Sequence, residues 1–488
     1  MCYILFNLST LKSFLKNTFI YGLAAVLPKA VNVFLLGLHT KTLASTQQFN
    51  VNTEFYVWAA YFNVLLTFGM ETTFFRFFNS EKDRNKVLST SFCTVALVAF
   101  LTLIPLFLLS NQIAPLLGFE EIIHFKTLVG ILLFDTLTVI PFAYLRVKNK
   151  AINYALFRVL NISIYAILNV LFLLILSQEK ITAIFGWYTT SSKVGYIFLA
   201  NLFASGFTFL MVLPMFLNFK LKLDFSLLKK MLTYGWPILV AGLAYVTNEN
   251  LDKLILPRFL NESIAGAYAG AYKLGVFMSL FIMAFKLGAE PFFFNVSHKE
   301  NARETYAIVL KWFTVLGAFI VLTIVAYIDF FASLLLKKPE YFETLAIVPI
   351  ILLANLLLGI YNNLSVWYKN TNQTKYGMYF SILGGVLTII GLLIFVPIFG
   401  YMGAAWVTFF VYGTMMTTSY IYGQKHYKTP YEVSKILGLF LLITGLCFIS
   451  FYALRGQFIL NSLLLLTTLL LVIFIERDFI KQRFLKSK

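Results

Sequence analysis

Cysteine, histidine and charge are all scarce in this chain. Its 488 residues include three cysteines and four histidines, and 12% of them are charged. Cys2, Cys93 and Cys447 show no C-x-x-C or metal-ligand spacing, and the last two lie in apolar runs, so neither a disulfide framework nor thiol chemistry follows. His39, His124, His298 and His426 stand tens of residues apart, with no H-E-x-x-H or acid-histidine cluster. Acyl-transfer and metal chemistry therefore have no visible apparatus, and no cofactor is expected. Soluble domains carry about 25% charged residues, so this composition excludes an ordinary soluble fold. Apolar residues fill the place: 60% of the chain is hydrophobic and the mean hydropathy is +0.82.

A hydrocarbon core takes about 20 apolar residues per helix. On that measure the chain is an all-α polytopic membrane protein with fourteen predicted spans. They lie at 18–40, 53–76, 87–110, 123–146, 153–176, 194–218, 231–257, 264–294, 305–328, 342–368, 376–397, 400–423, 432–452 and 457–475. The loops between them are too short for a soluble domain. No small-residue cleavage site follows the first apolar residues, so no cleaved signal peptide is expected.

The net charge of +18 raises the question of nucleic acid. Of the 39 Lys and Arg residues, 27 fall in segments on one side of the predicted spans and eight on the other. The remaining four, Lys29, Lys253, Lys273 and Lys286, lie within spans. Basic residues favour the cytoplasmic side, which predicts cytoplasmic N- and C-termini. Because the basic residues are dispersed over eight segments rather than gathered on one face, a nucleic-acid partner is not expected.

An internal repeat organises the spans. Tyr21-Gly22 opens the first span as Tyr234-Gly235 opens the seventh, and Pro28 and Pro237 follow. Gly69-Met70-Glu71-Thr72-Thr73-Phe74-Phe75 and Gly288-Ala289-Glu290-Pro291-Phe292-Phe293-Phe294 both read G-x-E-x-x-F-F. Six spans separate the copies, and an even number keeps them parallel. The expectation is two six-helix lobes, 1–218 and 219–423, related by an axis along the membrane normal around a central cavity. A helix pair and a basic tail, 424–488, complete the chain.

A charged side chain at the centre of a lipid-facing helix costs about 2.5–3.5 kcal/mol on insertion scales, so such residues mark a partner or a water-filled cavity. Lys29 follows Pro28 in mid-span and Asp135 sits near the middle of span four; they are either a structural pair or functional groups. Glu249 and Lys253 stand one turn apart, with Asp252 on nearly the same face, which permits an ion pair. Lys286 and Glu290 repeat that spacing towards the end of span eight. Lys273 has no sequence-local acid and is the stronger candidate for a cation facing a substrate.

The run Asn250-Leu251-Asp252-Lys253-Leu254-Ile255-Leu256, followed by Gly266-Ala267-Tyr268-Ala269-Gly270-Ala271-Tyr272-Lys273, resembles the signature of bacterial polysaccharide flippases. In that family N-x-D-[KR]-x-x-L and G-x-Y-x-x-A-Y-[KR] span the seventh and eighth helices. The family belongs to the multidrug/oligosaccharidyl-lipid/polysaccharide exporter superfamily. One departure is Pro257-Arg258, which implies a bend at the outer end of span seven.

The resemblance implies alternating access in the bacterial inner membrane and a lipid-linked oligosaccharide on undecaprenyl pyrophosphate as substrate, for O-antigen or capsule-type surface polysaccharide. Polysaccharide-assembly enzymes are implied as partners. Lys29, Lys253 and Lys273 would be the cations that meet the pyrophosphate. Glu71, Asp135, Glu249, Asp252 and Glu290 are the candidates for coupling to H⁺ or Na⁺. A multidrug exporter of the same superfamily and a membrane-bound polymerase or transferase of the same pathway remain as alternatives.

Overall fold

The computed structural model describes residues 20, 22, 24, 26–178, 193–216, 222–296, 300–371 and 373–477. No strand occurs among them. A first helix, α1, runs through 26–42. It is followed by α2 (Thr46–Thr67), α3 (Met70–Ser80), α4 (Arg84–Leu108), α5 (Ser110–Leu116), α6 (Ile122–Val147), α7 (Ala151–Val170) and α8 (Lys193–Phe216). The signature lies on α9 (Phe225–Phe259) and α10 (Glu262–Tyr272), which a 3-10 turn at Lys273–Gly275 joins to α11 (Val276–Val296). Then come α12 (Ala302–Ala326), α13 (Ile328–Leu335), α14 (Ile347–Leu364), α15 (Val366–Asn370), α16 (Lys375–His426), α17 (Val433–Tyr452) and α18 (Phe458–Ile475).

Ten helices among the described residues are long and apolar enough to cross a membrane, and one of these, α16, holds two of the expected spans on either side of Gly400. The other three expected spans correspond to α1, to α2 with α3, and to the 35-residue α9, whose polar residues dilute its hydropathy. The chain is thus a helical membrane protein with about fourteen spans. The basic tail beyond 477 and Tyr21 of the repeat lie outside the described residues.

Short polar side chains start several helices. Ser45 Oγ accepts from the Gln48 amide at the head of α2, and the Asp83 and Asp224 carboxylates accept from the Lys86 and Leu227 amides at the heads of α4 and α9. Each satisfies an amide that the first helical turn leaves without a main-chain partner. Pro257 lies inside α9, which continues as a helix to Phe259.

The helices form two compact units, Met1–Ala269 with Gly377–Pro397, and Gly270–Tyr376 with Ile398–Lys488. In the first, Met70, Phe74 and Phe78 of α3 pack with Val87 and Val95 of α4, Ile140 of α6 and Met231 of α9. In the second, Ala289 and Phe293 of α11 pack with Tyr306 of α12 and Val366 of α15. Phe74 and Phe293, which occupy matching places in the two G-x-E-x-x-F-F runs, are therefore each buried in the core of their own unit. The glycines of the two runs differ. Gly69 separates α2 from α3 with φ +64°, and a Cβ there would come within 2.9 Å of the Gly235 carbonyl oxygen and of Ile238. Gly288 sits inside α11 with open space around it.

Candidate functional site: the charges of the signature

The signature places its polar residues at the C-terminal part of α9, where they meet α2, α10 and the first part of α16 inside the first unit. Asn248, Asp252 and Lys253 are buried there. Side chains at i and i+4 share a helix face, so Asn248 and Asp252 lie along one stripe. The Asn248 amide nitrogen reaches the Ser381 carbonyl at 3.4 Å, while its Oδ1 accepts from Thr388 at 3.1 Å, which ties α9 to α16. Lys253 is 6% exposed and Asp252 4%. The ammonium donates to Asp252 Oδ1 at 2.9 Å, to Oδ2 at 3.2 Å and to the Glu249 main-chain carbonyl at 2.8 Å. The Tyr268 hydroxyl of α10 donates to Asp252 Oδ2 at 2.7 Å. An ammonium has three donors and a carboxylate only acceptors, so the cluster neutralises its own charge and ties α9 to α10.

The glycine of the second motif serves the same junction. A Cβ on Gly266 would fall 1.8 Å from the Thr46 carbonyl oxygen, so only glycine lets α10 approach the head of α2 this closely. Thr46 Oγ1 and Ser263 Oγ, 2.6 Å apart, complete the contact.

The other sequence-predicted residues have different surroundings. Lys273 is exposed at the first position of the 3-10 turn that follows α10. Lys29 is exposed on α1. Asp135 is partly buried in the middle of α6, within reach of Ser205 and close enough to Arg158 to feel its charge. Lys29 and Asp135 form no ion pair among the described residues. Glu71, in the first turn of α3, pairs with Arg146 at 2.9 Å near the end of α6, and the Arg146 guanidinium also lies over the Phe75 ring. Glu249 is partly buried and supplies its carbonyl to Lys253. Glu290 lies in α11, with its side chain outside the described residues. Lys286 is exposed and lines a cleft of the second unit together with Lys369, Asn362 and Asn370.

One buried cluster went unread in the sequence. Lys311 of α12 is 3% exposed; its ammonium lies 3.0 Å from Glu432 Oε1 and 2.8 Å from Glu476 Oε2. It joins α12 to the start of α17 and the end of α18. Its partners lie more than a hundred residues away in the chain, so no local spacing announces them.

The sequence matches the family model described as "Polysaccharide biosynthesis protein" over residues 42–285 and the MatE model over residues 237–394. No curated protein matches it. Among solved structures the fold is similar to "Lipid II flippase MurJ, inward closed conformation", with a TM-score of 0.73 at 16% identity, covering 95% of this chain and 100% of that one. It is also similar to an inward-facing multidrug resistance MATE family transporter of the MOP superfamily, with a TM-score of 0.64 at 12% identity, covering 85% of this chain and 95% of that one. At these identities the structures speak for the fold alone. The first family match takes in half of the chain and most of the signature helices, and it agrees with the fold: this multi-pass membrane protein belongs to the polysaccharide biosynthesis protein family, within the multidrug/oligosaccharidyl-lipid/polysaccharide superfamily of transporters.

Proposed function

We propose that the protein flips a lipid-linked oligosaccharide, carried on undecaprenyl pyrophosphate, from the cytoplasmic to the outer leaflet of a bacterial inner membrane by alternating access. The product would feed surface polysaccharide assembly, with the assembly enzymes as partners. The observation that carries the reading is the family match over residues 42–285, which contains the Asp252–Lys253–Tyr268 cluster. The fold shared with a lipid II flippase supports it. The uneven distribution of basic residues supports cytoplasmic N- and C-termini.

Moving a pyrophosphate out of water carries a penalty of several kcal/mol per ion unless opposite charge accompanies it. Lys29 and Lys273, both exposed, are the cations assigned to that task. The Lys253 ammonium is already neutralised by Asp252. For coupling to H⁺ or Na⁺ the favoured carboxylate is Asp135, partly buried mid-helix, whereas Glu71 and Asp252 each hold a cationic partner.

The test is transfer of a fluorescent undecaprenyl-pyrophosphate oligosaccharide across vesicles containing the purified protein. Transfer by the wild type, reduced at least tenfold in folded Lys29→Ala and Lys273→Ala proteins, supports the reading. Undiminished transfer in both variants removes the lysines from the path. A second reading, export of cationic drugs, is favoured by the MatE match over residues 237–394. It predicts drug transport by the same vesicles with no lipid transfer.

A further inference from the structure

We propose that the cleft of the second unit seats an anionic phospholipid of the cytoplasmic leaflet, with the phosphate on Lys286 and Lys369 and the adjoining hydrocarbon against the apolar floor. The inference does not rest on the flippase reading. It takes from the sequence only the cytoplasmic placement of the termini, which puts the ends of α11 and α15 on that side. The cleft is lined by α11, α12, α14 and α15. Its floor is formed by Ile282 and Phe285 of α11 and Phe313 of α12, and the centroids of the Phe285 and Phe313 rings stand 4.6 Å apart. A Cβ on Gly359 of α14 would fall 2.5 Å from the Phe313 ring, so α14 is held directly against that floor. The apolar surface is therefore preformed.

The polar side chains of the cleft are rich in donors, and no acid is among its described lining residues. Lys286 is exposed, while Lys369 and Asn362 are half-buried. Each lysine already interacts with a neighbour in the fold; an ammonium has three donors, so a phosphate can add to that contact without replacing it. The Asn362 main-chain carbonyl accepts from Ser365 Oγ at 2.6 Å, whereas its side-chain amide makes no hydrogen bond among the described residues. Two ammonium groups and an open amide beside an apolar floor match the two halves of an anionic amphiphile. A free phosphate would meet the donors and leave the floor in water. A zwitterionic lipid would bring its own ammonium towards the two lysines. Basic pockets between spanning helices on the cytoplasmic side suit anionic head groups, and charge-assisted bonds to phosphate are the strong class. The enclosed space, about 30 Å³, is too small for a sugar, and one compact unit builds it alone, which suits a lipid that stays in place better than a glycan that crosses.

The experiment is native mass spectrometry of the full-length protein in a neutral detergent, titrated with phosphatidylglycerol and, in parallel, with phosphatidylcholine, glycerol 3-phosphate and undecaprenyl phosphate. We expect saturable binding of phosphatidylglycerol, tighter than that of phosphatidylcholine and weakened by salt. Affinity should fall about tenfold in Lys286→Gln and in Lys369→Gln, the loss of one charge-assisted bond each. Asn362→Leu, which removes a neutral amide, should weaken it less. Lys286 is exposed, so its variant reads the charge contribution without threatening the fold should Lys369→Gln misfold. Lys425→Gln alters an exposed lysine that does not line the cleft and should leave the affinity unchanged. The proposal is overturned by equal binding of phosphatidylcholine, by equal affinity in all folded variants, or by the same loss in Lys425→Gln as in the cleft variants. Displacement of phosphatidylglycerol by glycerol 3-phosphate at equal concentration overturns it in favour of a plain phosphate site, and displacement by undecaprenyl phosphate overturns it in favour of a carrier-lipid site.

Discussion

Lys253 and Lys273 belong to one signature and meet opposite surroundings. The first is buried, bonded to Asp252 and to a main-chain carbonyl, and its carboxylate partner is held in turn by Tyr268. The second stands exposed where α10 gives way to a 3-10 turn, in the second compact unit. A spanning helix thus uses a lysine in two ways. Where an acid and a hydroxyl close around it, the charge is architecture that fixes one helix against the next. Lys273 instead keeps its side chain exposed, and its proposed role as a cation facing the substrate rests on that exposure.

The largest effect that distinguishes the two uses is on stability. Removing one member of a buried ion pair strands the other, which costs about 3–5 kcal/mol, a large part of the roughly 5–15 kcal/mol that holds a typical domain folded. Lys253→Met should therefore unfold about 3–5 kcal/mol more easily than the wild type in detergent. Lys273→Met should unfold within about 0.5 kcal/mol of the wild type, as surface substitutions do. Equal losses in denaturant titrations of the two variants would break the comparison. Asp252→Asn combined with Lys253→Met should recover part of the loss, because no uncompensated charge is then left behind. A smaller effect belongs to Tyr268→Phe, which deletes only the hydroxyl that donates to Asp252 at 2.7 Å. A hydrogen bond to a charged group contributes about 1.5–3 kcal/mol. The same titration checks it, and a value near zero would mean that Lys253 alone is enough to hold the carboxylate.

The sequence made the spans legible because apolar runs of membrane length have few other uses, and all fourteen have helical counterparts. It made the charges visible and left their partners hidden. The i,i+4 spacing of Glu249 and Lys253 permitted an ion pair, and the spacing did not show that the ammonium also takes the Glu249 carbonyl and the carboxylate of adjacent Asp252. Glu71 drew notice as a membrane acid, yet the break at Gly69 puts it in the first turn of α3 beside Arg146. At that break Gly69 comes close to Gly235, a contact between distant segments that no local pattern encodes. The same holds for Lys311 with Glu432 and Glu476.

The smallest expected effect concerns a pair in which neither partner is buried deeply. Asp224, just ahead of α9, lies 2.7 Å from the Lys86 ammonium, and that hydrogen bond, aided by the Leu227 amide, holds the carboxyl below its ordinary value of 3.8. A carboxylate with a lowered folded pKa adds stability above the unfolded value and loses it as pH falls through the folded one. The contribution should be fully present at neutral pH and fade below about pH 4. Lys86→Gln should then lower the unfolding temperature slightly at pH 7, and the difference from the wild type should shrink as the pH is taken towards 3. Both side chains are substantially exposed, so added salt should shrink it as well. A Lys86→Gln deficit that stays constant from pH 7 to pH 3 would show that the lysine acts through packing of its stem, and the contrast between enclosed and exposed charge would then rest on Lys253 and Lys273 alone.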